Sequence, residues 1–356
     1  MRLVLECPYR AGDDATRANA SWDLSHNSRS HPVAPPTAPP QEGSLRTLSL
    51  PTFRNYAKLS LVRAAPGAWT GRRHINHDEK AMYVCPDCKS LLVDWHCSAC
   101  NARFGTHAGV RELLSRDPRF ASVAQISSTY DDIYAHRSGV WVDQGRTPQF
   151  IHYFSELAAS YSTGRLLEVG CGEGYLLSQL RAAEKVAVDI SAEALSKAGP
   201  RAGADCSVAL AERLPFTRES FDIVVSVGVM EHFLDDLQAT AEICRVLKPS
   251  GWYIALIHVK RSAAQKVAQK LREYVYPSFR PLALVRWFGG SVFRPRQQPI
   301  QRNYTPTCAS ACLMAGGFEV IRIISTANEP LAPLVGPHVV IYVARKRAPH
   351  AGRSCV

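Results

Sequence analysis

Between Leu166 and Tyr175 the chain reads Leu-Leu-Glu-Val-Gly-Cys-Gly-Glu-Gly-Tyr, with glycines at 170, 172 and 174 and carboxylates at 168 and 173. An apolar strand that runs into Gly-x-Gly-x-Gly and then a helix lets the backbone turn sharply and approach a ligand without Cβ interference. The spacing differs from the Gly-x-Gly-x-x-Gly dinucleotide fingerprint, where pyrophosphate sits on the helix N-terminus. Glu168 and Glu173 would oppose an anionic diphosphate and suit a ligand bearing an ammonium and a sulfonium. Asp189 closes Val186-Ala-Val-Asp-Ile190, 21 residues after Glu168. A carboxylate at such a strand end can accept hydrogen bonds from both ribose hydroxyls. Read as a solvated acid with no buried partner, Asp189 should matter for binding and little for stability.

A second cluster lies upstream: Cys85-Pro-Asp-Cys88, eight residues, then Cys97-Ser-Ala-Cys100. Two Cys-x-x-Cys knuckles are how four thiolates reach one tetrahedral zinc at about 2.3 Å, and Lys89 to His96 reads as the hairpin that brings them together. With Cys85, Cys88, Cys97 and Cys100 as ligands, His96 is redundant. A segment this small has little core, so zinc would supply most of its folding free energy.

The elements that must position these residues alternate between strand and helix. Expected strands are Leu166 to Val169, Val186 to Ile190, Cys206 to Leu210, Phe221 to Val227 and Trp252 to Val259. Helices are expected over Tyr175 to Ala183, Ala192 to Ala198 and Leu237 to Leu247. That order predicts an α/β fold, a doubly wound Rossmann-like parallel sheet with right-handed crossovers. Phe318 to Ser325 and His338 to Ala344 read as a terminal antiparallel hairpin, after a helix opened by Thr305-Pro306 and closed by Gly316-Gly317. Ahead of the sheet, residues 117–160 read as a helical linker with Tyr130, Ile133 and Trp141 on one face. Residues 1–80, with their Pro-Pro repeats, read as a disordered leader, 81–116 as a zinc ribbon, 161–346 as the main domain and 347–356 as a basic tail.

Composition narrows the class. The 356 residues are 46% hydrophobic and 21% charged, which excludes wholesale disorder and coiled coil. No apolar run approaches the roughly 20 residues of a membrane span, and the first ten residues lack a secretory core. A cytoplasmic protein is expected, with its 11 cysteines as thiols or metal ligands rather than a disulfide framework. The net charge of +11 is placed unevenly: from Ile257 onward there are 15 Lys and Arg against 3 Glu, while the rest holds 27 bases against 28 acids. A basic C-terminal lobe of this kind attracts phosphates, acidic ligands or anionic membrane surfaces.

Taken in order, the glycine segment, Asp189, Ala211-Glu-Arg-Leu-Pro-Phe216, Phe221-Asp-Ile-Val-Val225, Met230-Glu-His232 and Leu247-Lys-Pro-Ser-Gly-Trp252 resemble the class I S-adenosylmethionine-dependent methyltransferases. The type 11 branch, which includes ubiquinone and menaquinone biosynthesis C-methyltransferases, is the most similar, over about Tyr130 to Lys346. By that resemblance Gly170, Cys171 and Gly172 would line the methionine part of the cofactor, with Glu168 fixing the loop. Asp189 would hold the ribose and Ile190 would pack on adenine. Ala211 and Glu212 would meet the adenine edge with an amide and a carboxylate, and Val227 would contact the methionine tail. Many relatives carry an aspartate where this chain has Leu210, so adenine recognition leans on backbone amides. His232 and His258, at the ends of the fourth and fifth strands, are the candidate catalytic bases.

Lys260 to Asn303 forms an insertion that would roof the acceptor pocket. It carries Val267 and Leu271 on one helix face, then Tyr276, Phe279, Trp287, Phe288 and Phe293 interleaved with Arg280, Arg286, Arg294 and Arg296. Such a surface could stack on a flat or isoprenoid acceptor, grip phosphate, or lie on a membrane. Three readings follow. The first is methyl transfer to a small-molecule or lipid-like metabolite, the second an RNA or translation-factor methyltransferase that binds through ribbon and basic lobe. The third is a degenerate methyltransferase fold acting as a zinc-dependent interaction module.

Overall fold

The computed structural model describes residues 3–6, 82–136, 139, 147–260, 300–325 and 339–348. Most of the expected leader, Trp141, the body of the 260–303 insertion and most of the 347–356 tail lie outside them. The chain divides into a unit of residues 1–18 with 75–356 and a second of 19–74. All described residues belong to the first.

In chain order the elements are β1 (Leu3–Glu6), β2 (His96–Cys97), β3 (Ala102–Arg103), β4 (Thr106–His107) and β5 (Val110–Glu112), followed by helices α1 (Val123–His136) and α2 (Pro148–Tyr161). Then come β6 (Arg165–Val169), β7 (Glu184–Asp189), α3 (Ala192–Ala202), β8 (Asp205–Val208), β9 (Phe221–Val227), α4 (Asp236–Val246) and β10 (Leu247–His258). The chain closes with β11 (Ile300–Asn303), α5 (Pro306–Ala315), β12 (Phe318–Ile324) and β13 (Val339–Lys346).

Nine strands form one sheet in the order β12-β13-β10-β9-β6-β7-β8-β5-β4. β6 lies at its centre, paired in parallel with β7 through Leu167–Val186 and with β9 through Leu167–Val224. The inner strands β6, β7 and β9 are rich in Leu, Val and Ile buried on both faces, as a parallel sheet covered by helices requires. One face packs on α4 and α5 through Ile243, Val246, Cys312 and Leu313, the other on α2 and α3 through Phe154, Leu157 and Leu195. Side-chain caps fix where the helices start: Ser191 accepts from the Ala194 amide at 3.1 Å and Thr305 from that of Cys308 at 3.2 Å. The expected terminal hairpin is present, with β12 and β13 antiparallel and β13 antiparallel to β10.

Three expectations are corrected. Tyr175 to Ala183 is a run of turns, not a helix; Gln179 N bonds Leu176 O at 2.8 Å and Leu180 N the same carbonyl at 3.1 Å. Leu176, Leu177 and Leu180 are all buried, which this short, irregular path achieves before β7 begins. The third strand stops at Val208, because Ala209 N bonds Asp189 O at 3.1 Å and the chain then turns across the end of β7. The stretch read as a disordered leader contains β1, which pairs in parallel with β11 from Leu3–Ile300 to Glu6–Asn303.

The cysteine segment forms its own two-stranded sheet, β2 with β3, and the strands that follow it continue the large sheet. β5 pairs in parallel with β8 through Arg111–Ser207 and Glu112–Val208, and β4 extends the edge. Ahead of it, Val84 N bonds Pro215 O at 3.0 Å and Thr217 N bonds Met82 O at 2.9 Å. Tyr83 packs on Phe216 and Trp95, and its hydroxyl donates to Asp205 Oδ2 at 2.7 Å. Lys89 Nζ reaches Glu242 Oε2 at 2.6 Å and the Leu214 carbonyl at 3.1 Å. The exposed β8 edge is thereby covered, which removes a template for unwanted strand pairing.

Candidate active site and thiol cluster

The parallel strands all end at one edge of the sheet, and there the chain gathers most of the residues singled out from the sequence. β6 runs into Gly170, whose φ of 71° lies in the left-handed region. A Cβ there would stand 2.4 Å from Val229 Cγ2, so only glycine lets the loop close on the turn after β9. At Gly172, φ 54°, a Cβ would meet the Tyr134 hydroxyl at 2.8 Å.

Asp189 is what holds this loop. Its Oδ2 accepts from the Gly172 amide at 2.8 Å and its Oδ1 from the Ser191 amide at 3.0 Å. The residue is 8% exposed, so the expectation of a solvated acid with no buried partner is corrected. Burial pushes the carboxyl above its ordinary range, while the amides of Ser191, Gly172 and Ile190 pull it back. Glu168 is buried close by, and the field of both acids adds to burial in raising the Cys171 thiol. Glu173 is engaged locally: its carboxylate accepts from the Gly139 amide and lies 3.5 Å from Lys197 Nζ.

Helix α1 closes over this edge, which the sequence reading treated as a linker. Ser127 donates to Ile190 O at 2.8 Å, and Asp131 Oδ1 accepts from the Ser191 hydroxyl at 2.6 Å and the Glu193 amide at 3.0 Å. Lys197 Nζ ties α3 to the Tyr134 carbonyl at 2.7 Å. Tyr130 is half-buried within the fields of Asp189 and Glu231, and burial is the larger cause raising its hydroxyl. Ser127, Tyr130, Asp131 and Tyr134 sit at i, i+3, i+4 and i+7; that spacing was the available signal for this face.

Ala211 and Glu212 lie in a short 3-10 turn after β8. The Glu212 carboxylate is turned inward: Oε1 accepts from the Leu234 amide at 2.6 Å and the Asp235 amide at 3.2 Å. Burial pushes this acid up to about 7. Through those two amides its side chain organises the start of α4. Val227 is buried at the end of β9.

The two histidines diverge. His232 closes the 3-10 turn Met230–His232, and its Nδ1 lies 2.6 Å from the Ile300 carbonyl. His258, at the end of β10, sets its Nδ1 against Glu231 Oε1, a partner the sequence reading had not paired with it.

Cys85, Cys88, Cys97 and Cys100 converge with all four sulfurs within 4.8 Å of one another. Cys85 and Cys100 sulfurs are 3.6 Å apart, those of Cys88 and Cys97 3.3 Å. Four sulfurs about 2.3 Å from a common tetrahedral centre would stand about 3.8 Å apart, so the cluster fits one zinc ion. Among the described residues it is the one such group. It lies on the ribbon, apart from the Asp189 edge.

Residues 167–255 match the family described as "Methyltransferase domain". The chain is 38% identical over 27% of its length to the malonyl-[acyl-carrier protein] O-methyltransferase of Erwinia billingiae, covering 41% of that protein. It is 34% identical over 36% of its length to the biotin biosynthesis bifunctional protein BioHC of Cellvibrio japonicus, covering 25% of it. With the phthiotriol/phenolphthiotriol dimycocerosates methyltransferase of Mycobacterium tuberculosis, identity is 33% over 25% of the chain and 36% of the relative. The chain thus spans less than half the length of these relatives. A crystal structure of a Thermotoga maritima S-adenosylmethionine-dependent methyltransferase is 21% identical, covers 61% of this chain and 99% of its own, and superposes with a TM-score of 0.41. The family match over residues 167–255 and the methyltransferase relatives agree: this stretch of chain is similar to methyltransferase domains.

Proposed function

We propose that the chain transfers a methyl group from S-adenosylmethionine to a small-molecule or lipid-like acceptor. The observation that carries this reading is the clasp between Asp189 and the Gly172 amide under the Tyr130 and Tyr134 roof of α1. When bound, the cofactor supplies an electrophilic methyl on a sulfonium. Gly170, Cys171 and Gly172 would hold its amino-acid end and Val227 would border it. Glu168 and Asp189 lend the edge a negative field suited to a cation. Asp189, already oriented by two amides, would receive the ribose, and Ile190 and Ala211 would flank the base. In-line transfer demands orientation above all, which rigid strand ends and the α1 roof provide. The names of the malonyl-[acyl-carrier protein] and phthiotriol relatives support an acyl or polyketide-like acceptor.

The ribbon would bind one structural zinc through Cys85, Cys88, Cys97 and Cys100, with cytoplasmic thiol chemistry. Because β4 and β5 continue the main sheet, its role in this reading is to complete the domain edge. Calorimetric titration with S-adenosylhomocysteine tests the central reading: binding in wild type that is lost in Asp189→Ala is expected, and no binding by folded wild type would refute it.

A further inference from the structure

The first cysteine knuckle is tied at three points to the loop after β8, the loop that carries Ala211 and Glu212. Just ahead of Cys85, Tyr83 bridges Phe216, with the Val84 amide on the Pro215 carbonyl at 3.0 Å and the Thr217 amide on the Met82 carbonyl at 2.9 Å. Just after Cys88, Lys89 Nζ donates to the Leu214 carbonyl at 3.1 Å and to Glu242 Oε2 at 2.6 Å. Between the two cysteines, Asp87 accepts from the Ser115 hydroxyl and, at 3.1 Å, from the Arg116 amide. Ser115 Oγ in turn accepts from the Asp117 amide at 3.1 Å, and Asp117 Oδ2 accepts from Arg213 Nη2 at 2.9 Å.

The closed knuckle fixes where these groups point. Lys89 has a φ of 61°, in the left-handed region that a lysine rarely adopts, and its amide bonds the Cys85 carbonyl at 2.9 Å while the Cys85 amide bonds the Ser90 carbonyl at 2.8 Å. Such a conformation persists where its surroundings enforce it, and the convergence of four sulfurs within 4.8 Å is a constraint of that kind. The far end of the loop lies on the ligand side proposed above. Ala211–Arg213 is a 3-10 turn with Leu214 as its C-cap, and Leu210 ahead of it packs with Phe120 and Val123 against Ile190. Phe120 belongs to the same relay, because Asp117 caps its turn through the Arg119 amide at 3.0 Å and the Arg213 guanidinium lies 5.8 Å from its ring.

We propose that Asp87 and Lys89 are positioning residues for the 211–214 turn, so that the closed knuckle sets the nucleoside side of the site and cofactor affinity depends on the metal state of the four cysteines. This rests on the methyltransferase and zinc readings above. Coupling of this kind is carried by hydrogen-bonded groups with fixed partners, and it is reciprocal in binding free energy. Here it is partial, because Arg245 also holds the loop, with Nη2 on the Leu214 carbonyl at 3.0 Å and Nη1 on the Phe216 carbonyl at 2.7 Å, and Glu212 anchors it to the Leu234 amide at 2.6 Å. Opening the knuckle therefore loosens the turn without releasing it, an effect of about tenfold on affinity, within the roughly 5- to 150-fold range of such couplings.

The test compares zinc-loaded full-length protein, the same protein after chelation, and zinc-loaded Lys89→Met. Exchange of the Arg213 amide, which bonds the Leu210 carbonyl at 3.1 Å, should quicken about tenfold on chelation while Ile254 and Leu256 of β10, paired with β9, stay protected. Calorimetric titration with S-adenosylhomocysteine should give a dissociation constant about tenfold weaker after chelation, and saturating S-adenosylhomocysteine should tighten zinc by the same factor. Lys89→Met should show weakened affinity with zinc still bound, and Lys89→Arg should recover part of it. A lysine that merely stabilised the ribbon would shift the melt and leave the affinity alone. Equal S-adenosylhomocysteine affinity in folded zinc-free and zinc-loaded protein overturns the proposal, as does an Arg213 amide whose exchange is indifferent to zinc. Where the chelated chain does not stay folded, wild-type affinity in zinc-loaded Lys89→Met overturns it instead. Protein that takes up no zinc overturns it together with the zinc reading. No S-adenosylhomocysteine binding by folded wild type, with the exchange difference at Arg213 present, would sink the methyltransferase reading and not the relay.

Discussion

Oδ2 of Asp189 accepts a hydrogen bond from the Gly172 amide at 2.8 Å, across the ends of β7 and β6. One carboxylate thus shapes the glycine loop and faces the proposed ribose position.

That dual use sets the outcome of Asp189→Ala. Two buried amides, Gly172 and Ser191, lose their acceptor, so the variant should lose roughly 1 to 3 kcal/mol of stability as well as cofactor affinity. Thermal melts and calorimetry on the same preparation measure both. A variant that loses affinity with an unchanged melt would restore the solvated-acid reading.

Zinc removal should weaken the methyltransferase domain and not the ribbon alone, because β5 pairs with β8 and Lys89 anchors on Glu242. Purified protein is expected to hold about one zinc per chain, falling in Cys97→Ser. Chelation should lower the main melting transition by several degrees. An unaltered transition after complete zinc loss would show that the ribbon strands contribute nothing to the sheet.

Glu212 predicts a pH dependence with a definite sign. Its carboxyl is pushed from the ordinary 4.5 up to about 7 by burial, so the fold favours the neutral acid. The associated stability is complete below about pH 4.5 and is lost as pH rises through 7. Glu212→Gln keeps an acceptor for the Leu234 and Asp235 amides without the charge. It should gain on wild type, by on the order of 3 kcal/mol, between those pH values. Parallel melting curves for the two proteins from pH 5 to 8 would refute the argument.

A chain beginning at Met82 should retain cofactor affinity, since β1 borders β11 and contributes nothing to the Asp189 clasp. It should lose amide protection at Ile300–Asn303, whose partner strand is gone. Hydrogen exchange with parallel calorimetry checks this; a large drop in affinity would place the N-terminal segment in the binding site.

What could be read directly from the sequence was local. Thiol spacing in two Cys-x-x-Cys pairs, glycines at a strand end and Val-rich runs each act within a few residues, so the knuckles, the loop and the succession of the central strands along the chain were legible. The N-caps Thr305 and Ser191 are local in the same way, although Ser191 was not picked out. The tertiary structure decided everything that depends on a distant partner. Whether Asp189 is solvated depends on the Gly172 loop and on α1, and neither shows in its neighbours. Glu212 faces inward because the amides at 234 and 235 come to lie beneath it. Glu231 meets His258 only once β9 and β10 are parallel neighbours, with Val227 opposite Leu256. The ribbon joined the sheet because the β8 edge was open, and a strand as short as β5, with 3 residues, is set by the edge it covers and not by its own propensity.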